Sequence, residues 1–321
     1  MGFLVFIHEG GHFLVAKLCK IKVNEFAVGF GPTIWKRQGK ETKYALRIIP
    51  LGGFVSLEGE EQQSNAEDSF SRASIPKRIA VVMAGGLVNI VFALIVYFIL
   101  MASLGNNIST TIDQVIGGTQ AQVVGLQAND KIVTINHKKI HNKYDFDKAL
   151  GACTGEDVTV TVEREGKTFT FTFKPVEENS HYYLGVYLKR AEQNLGNNLY
   201  YAFYDTESFA FSIIDNLKML FTGHVSIDQF MGPVGIGEVV AQTTKFADFI
   251  YILALVSLSL GVTNLLPFPP LDGGKVIILL LEAIRKKPLK EQTEMAIQSI
   301  GFIILIGLSI YVTYNDILRI F

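Results

Sequence analysis

The chain has 321 residues, 49% of them hydrophobic and 18% charged, with a mean hydropathy of +0.30. That balance is too apolar for an ordinary soluble domain and directs the search to membrane spans. A formal net charge of −1 argues against a nucleic-acid surface, and two cysteines, Cys19 and Cys153, cannot build a secreted disulfide framework.

Gly2 to Leu18 is apolar except for His8, Glu9, His12 and Lys17. Ionisable groups in an apolar span are costly and mark a functional site. No basic region precedes the run and no small-residue cleavage site follows it, so it does not read as a signal peptide. With so few apolar residues before His8, it reads as a clipped helix, whose true start lies upstream or which belongs to a shortened form. Residues 24–60 read as β-rich, with YALRII following the turn-like QGKE.

Ile79 to Leu104 carries no charge and is long enough to cross a bilayer. Within 108–190 the pattern becomes that of a soluble domain. KIVTIN (Lys131 to Asn136), VTVTVE (Val158 to Glu163) and TFTFTF (Thr168 to Phe173) alternate with period two, as half-buried strands do. Glu165-Gly166-Lys167 suits a hairpin turn, and Tyr144 to Leu150 reads as a short helix. Tyr200 to Leu220 reads as an amphipathic or surface helix leading back to the membrane. Two further apolar runs follow, Phe249 to Leu266 and Ile300 to Thr313, the latter lying in a stretch uncharged between Glu294 and Asp316.

The polar regions set an orientation. Residues 17–78 hold eleven Lys/Arg against seven Asp/Glu, and the loop after the third span adds Lys275, Arg285, Lys286, Lys287 and Lys290. The positive-inside rule places both in the cytoplasm and 105–247 outside. The expected fold is a polytopic α-helical membrane protein with about four transmembrane helices. Its expected parts are a first span (1–18), a cytoplasmic-side β-rich region (19–78), a second span (79–104), an extracytoplasmic α+β domain (108–190) and a helical or amphipathic region (191–247). A third span with its following loop (248–274), a cytoplasmic loop (275–295) and a fourth span (296–318) complete it.

The sharpest motif is His8-Glu9-Gly10-Gly11-His12, an H-E-x-x-H match. On a helix, residues four apart share a face, so both imidazoles reach one tetrahedral metal. Glu9 lies about 100° round from His8, where it can act as general base on an attacking water without ligating the metal. Gly10 and Gly11 each cost a helix about 1 kcal/mol relative to alanine. Close approach of substrate or of a neighbouring helix would explain them. A catalytic zinc site takes three protein ligands. Asp272, in the proline-broken stretch NLLPFPPLDGG (Asn264 to Gly274), is the best candidate for the third, the alternative being a helix cap in an ordinary loop.

Together these motifs resemble the site-2 protease family of intramembrane zinc proteases, in particular its bacterial RseP-type branch with a PDZ domain. The resemblance runs in order through FLVFIHEGGHFLVAK, GFGP (Gly29 to Pro32), IIPLGGFV (Ile48 to Val55), AGGLVNIVFA (Ala84 to Ala93), MGPVGI (Met231 to Ile236) and NLLPFPPLDGG. Gly86 stands where that family often has proline. The resemblance implies one Zn2+ per chain held by His8, His12 and Asp272, with Asn89 and Asn264 contacting an unwound substrate backbone. Interhelical hydrogen bonding is the other reading of both asparagines.

VIGGTQAQVVGLQANDKIVTINHKKI resembles part of a circularly permuted PDZ domain. Leu184, Gly185 and Val186 resemble its loop for a peptide carboxylate, so peptide C-termini are implied partners. A domain that only filters substrates by bulk is the other reading. The resemblance also implies a multi-pass protein of the bacterial cytoplasmic membrane, with its active site toward the cytoplasmic face and its PDZ domain outside. Implied substrates are single-pass membrane proteins of the anti-sigma-factor kind, or remnant signal peptides. A non-catalytic PDZ adaptor and a metal-sensing or transport protein are the rivals; neither requires a base in the position of Glu9.

Overall fold

The computed structural model describes residues 2–60, 64–105, 107–179, 181–222 and 231–320. They fall into two compact units, one of residues 1–93 with 212–321, the other of residues 94–211.

The first unit begins with helix α1 (Gly2–Leu18), which carries the H-E-x-x-H motif. Lys20 stops it by adopting φ 61, while the amide of Ile21 reaches back to the Ala16 carbonyl at 2.9 Å. Strands β1 (Val23–Gln38) and β2 (Lys43–Leu57) follow. Their register shows that each strand serves two ladders. Val28 pairs with both Leu46 and Gly53, and Ala27 with both Ala45 and Phe54, while Lys36 pairs with Ala45. The pair is therefore a four-run mixed sheet in the order 53–57, 23–28, 43–46, 35–38, in which 23–28 and 43–46 run parallel and each outer run is antiparallel to its neighbour. The chain turns at Gly29–Pro32 and near Gly52, whose glycines take positive φ. GFGP and PLGG are the corners of this sheet. Its far hairpin exposes Phe30, Ile34, Trp35 and Ile48.

Helix α2 (Ile75–Leu104) crosses from this unit into the next in sequence. The first unit resumes with α6 (Pro233–Gln242), α7 (Phe246–Asn264), α8 (Asp272–Arg285) and α9 (Glu291–Ile320). Ala16, Val23, Leu57, Val81 and Leu279 form one buried cluster that locks α1, the sheet, α2 and α8 together. Buried Asp316 of α9 accepts the amides of Gly232 (3.1 Å) and Gly235 (2.8 Å), so it caps the start of α6 from another helix. That accounts for the two glycines of MGPVGI, where an added Cβ would press on the Asp316 carboxylate. Among the described residues, α2, α7 and α9 are long and apolar enough to cross a membrane. Helix α1, of 17 residues, is at the short end of the spanning range and is not among them.

The second unit is an α+β fold whose strands pair antiparallel. Its elements are β3 (Ile108–Val115), α3 (Gln120–Val123), β4 (Lys131–Ile135), β5 (Lys138–Lys139), α4 (Lys143–Gly151), β6 (Val158–Arg164), β7 (Lys167–Phe173), β8 (Val176–Glu178), β9 (His181–Tyr183) and β10 (Val186–Arg190). The main sheet has the order β10-β3-β4-β6-β7, with β5 on β4 and β10 at an edge. Alternate residues Ile132, Val160, Val162 and Leu184 are buried in its core. Fully buried Asp130 receives both Nε and Nη2 of Arg164, at 2.6 and 2.7 Å, a bidentate pair that joins the start of β4 to β6.

Helix α5 (Leu195–Phe221) follows; its residues up to 211 belong to the second unit. There it docks on the start of α4 through polar contacts. Asn142 caps α4 and donates to Asp205 Oδ1 at 2.7 Å, Ser208 donates to Asp145 at 2.9 Å, and Tyr204 stacks on His141. Burial pushes the Asp205 carboxyl up and the Asp145 charge adds to it, so that it reaches about 6 despite the Asn142 hydrogen bond. A carboxyl raised in the folded state favours folding below its unfolded value near 4, and that contribution is lost as pH rises through about 6. Asp205→Asn is therefore expected to stabilise this docking by about 1–3 kcal/mol at pH 7.5 and by nothing near pH 4. Hydrogen exchange of α4 and α5 amides, compared with wild type at each pH, reads this out. Equal protection at pH 7.5 would exclude the linkage. Of the expected 191–247 region, residues 223–230 lie outside the described residues.

Candidate metal centre

His8 and His12 lie one turn apart on α1 with their rings 4.8 Å centroid to centroid, edge to face. Asp272 is the first residue of α8, some 260 positions away, and its carboxylate meets them. His8 Nε2 and His12 Nε2 stand 3.2 Å apart, and Asp272 Oδ2 is 3.3 Å from the first and 3.4 Å from the second. Three donor atoms thus form a nearly equilateral triangle. A tetrahedral zinc with bonds of about 2.0–2.2 Å has ligand-to-ligand edges of about 3.3–3.6 Å. The triangle fits that ion. Asp272 Oδ2 is also buried without a hydrogen-bond partner, a costly state for a carboxylate that a cation relieves. Among the described residues this is the one group of three His, Cys, Asp or Glu side chains close enough to share a metal.

The backbone around Asp272 explains how a loop can present it. After α7 the amide of Leu266 bonds to the Thr263 carbonyl (3.1 Å), Phe268 to Leu266 (2.7 Å) and Leu271 to Phe268 (2.9 Å). These bonds tie the proline-rich turn to the end of α7 and to itself. Gly274 sits against this turn so closely that an added Cβ would lie 2.7 Å from Phe268 C. The two glycines after Asp272 let the loop fold back on the helix it precedes.

Helix α2 closes the other side. His12 Nδ1 lies 2.8 Å from the Val81 carbonyl, which can only accept, so Nδ1 carries a proton and, in the neutral ring, Nε2 keeps the lone pair a metal would take. Gly85 faces both imidazoles: a Cβ there would stand 2.7 Å from His8 Cε1 and 2.8 Å from His12 Cε1. Gly11 approaches the Ala84 carbonyl, where a Cβ would come within 2.7 Å. Of the two glycines inside the motif, Gly11 thus serves helix packing. A Cβ on Gly10 would meet nothing within 4 Å.

Glu9 lines the same cavity of about 190 Å³ as His8, His12 and Asp272. Phe54, Val55 and Leu57 of β2 and the ion pair of Glu60 with Lys275 complete much of its wall. A larger groove of about 880 Å³ shares those β2 residues and that ion pair, and continues along β2 toward the start of α9.

The remaining sequence candidates are dispersed. Asn89 is fully buried on α2, with its carboxamide 3.3 Å from His8 Nδ1. Asn264 ends α7 and does not line the cavity. Leu184 belongs to the core of the second unit, Gly185 has φ 77 and gives its carbonyl to the Ile116 amide, and Val186 opens edge strand β10. Sequence reasoning missed the Val81 carbonyl, Gly85, and the β2 wall. The glycine pair in AGGLVN was a usable signal for Gly85. A backbone carbonyl carries none.

The chain matches, over residues 1–308, the family model described as Peptidase family M50. It is 35% identical to a Fusobacterium nucleatum protein named "Putative zinc metalloprotease", over 100% of this chain and 97% of the relative. It is also similar to proteins named "Zinc metalloprotease RasP". The one from Shouchella clausii is 29% identical over 99% of this chain and 97% of its own length. The one from Geobacillus kaustophilus is 28% identical over 100% and 96%.

Proposed function

The chain belongs to peptidase family M50, and from that membership we infer that it is an intramembrane zinc metalloendopeptidase. The observation that carries the reading is the triangle of His8, His12 and Asp272 donor atoms beside Glu9 in one cavity. When bound, zinc supplies a Lewis acid for the scissile carbonyl and lowers the pKa of a water. Glu9 takes the proton from the attacking water and passes it to the departing amine nitrogen. Asp272 Oδ2 and the two imidazoles set the position at which this happens. The β2 run Phe54–Leu57 and the groove beside it are placed to hold an unwound stretch of substrate, and Asn264 at the end of α7 lies next to the loop that bears Asp272.

We further propose that residues 108–190 form a PDZ domain. Its support is the antiparallel sheet flanked by α4 and the edge position of β10, which leaves a ladder for a peptide strand after the Leu184–Val186 turn. The basic loops argue for a cytoplasmic active site and an extracytoplasmic PDZ domain in a bacterial cytoplasmic membrane. The substrate class that fits is a single-pass anchor, such as a trimmed anti-sigma factor or a remnant signal peptide. The test is cleavage of tagged single-pass peptides by the purified chain in detergent, before and after stripping with a zinc chelator. Cleavage is expected to fall to background and return on adding Zn2+. Cleavage that survives the chelator would overturn the assignment.

A further inference from the structure

We propose that Asn89 positions the His8 ring and, by turning its Oδ1 to Nδ1, accepts the ring proton in the tautomer that a metal on Nε2 requires. This rests on the metal reading above and assigns Asn89 to the ligand rather than to the substrate. Four observations carry it. Asn89 is fully buried on α2, its side chain is 3.3 Å from His8 Nδ1, its Oδ1 has no hydrogen-bond partner, and its own carbonyl accepts from Ser257 Oγ of α7 at 3.0 Å. The residue is pinned by its backbone and points its amide at a ligand.

A neutral imidazole has one N–H. If Nε2 gives its lone pair to a metal, the proton sits on Nδ1 and needs an acceptor. The Asn89 carboxamide is the partner that Nδ1 has among the described residues. Its N and O ends exchange by a half-turn about the Cβ–Cγ bond, and which end faces the ring follows from where the ring proton is. With Nδ2 toward Nδ1, His8 accepts there and carries its proton on Nε2, directed at Asp272 Oδ2 3.3 Å away. With Oδ1 toward Nδ1, His8 donates there and Nε2 is free to ligate.

Asparagine serves both tautomers, aspartate only the second, and leucine neither. His12 needs no such device, because the Val81 carbonyl can only accept and holds its tautomer in one state. The two ligands of one motif thus differ: one is fixed by backbone, the other is set by a side chain that turns with the metal.

The experiment measures zinc affinity of the full chain in detergent by competition with a chromophoric chelator, and the visible spectrum after cobalt substitution. Asn89→Leu is expected to weaken zinc binding by about 10–100-fold and to alter the cobalt bands, while Asn89→Asp stays within a few-fold of wild type. Asn89→Ala, smaller than the native side chain, gives the same loss if Leu does not fit. Zinc-free melting of each variant separates a local effect from unfolding. Wild-type zinc affinity in Asn89→Leu and Asn89→Ala, with a raised KM for peptide, would overturn the proposal in favour of substrate contact. An equal loss in Asn89→Asp would overturn it in favour of simple packing. Zinc retained by Asp272→Ala would overturn the metal site itself, a failure distinct from either.

Discussion

Glu9→Gln is expected to lower turnover of a transmembrane peptide by about 10²–10⁴-fold while leaving zinc affinity within a few-fold of wild type. The reasoning is geometric. Glu9 shares the cavity with the three donor atoms but contributes none of them, because the residue after His8 on a helix points about 100° away from the His8–His12 face. Glutamine keeps the shape and the carbonyl oxygen and removes only the ability to take a proton. A loss of that size corresponds to about 3–5 kcal/mol of transition-state stabilisation. The change should appear in kcat rather than KM, since the proton moves only as the bond is made. Equal turnover by the two proteins would remove Glu9 from the reaction. A parallel loss of zinc would instead make it a ligand, against the triangle.

The sequence made the polar half of this centre legible and left the apolar half hidden. His8, Glu9 and His12 stand out because ionisable side chains in an apolar run demand an explanation. From its own segment Asp272 was legible only as one of two alternatives, a ligand or a helix cap, and the family resemblance chose the first; it is the first residue of α8, and its carboxylate lies beside both imidazoles. The strands Lys131–Ile135 and Val158–Arg164 lie where period-two alternation puts them, and Glu165–Gly166 takes the positive φ values of a tight hairpin. The sheet of β1 and β2 was harder. Its runs are interrupted by Gly29, Gly31, Pro32, Gly52 and Gly53, so alternation breaks at the very corners where each strand passes from one ladder to the next. The pairing of Ala27 with both Ala45 and Phe54 is a long-range fact with no local signature. The length of β2 that walls the cavity shares that difficulty. Its importance comes from what lies opposite, not from its own composition.

The glycines around the motif give the second large effect, and it runs against helix propensity. Gly85→Ala removes a residue that costs an α-helix about 1 kcal/mol, so propensity alone predicts a gain. The expected result is the reverse, a loss of zinc affinity of at least about 10–100-fold, the scale on which misplacing a ligand's support acts. A methyl at position 85 would stand 2.7 Å from His8 Cε1 and 2.8 Å from His12 Cε1, inside the contact distance of both rings. The rings cannot retreat freely, because His12 Nδ1 is tied to Val81 and the α1 backbone is already packed at Gly11 against Ala84. Either α1 and α2 separate, or the triangle of donor atoms opens beyond the edges a single ion can span. Gly10→Ala is the control, since a Cβ there meets nothing within 4 Å. It should keep wild-type zinc affinity and melt no lower than wild type. Chelator competition on the three proteins decides the matter: if Gly85→Ala binds zinc as tightly as Gly10→Ala, α2 does not shape the ligand geometry, and the close approach of the two helices serves packing alone.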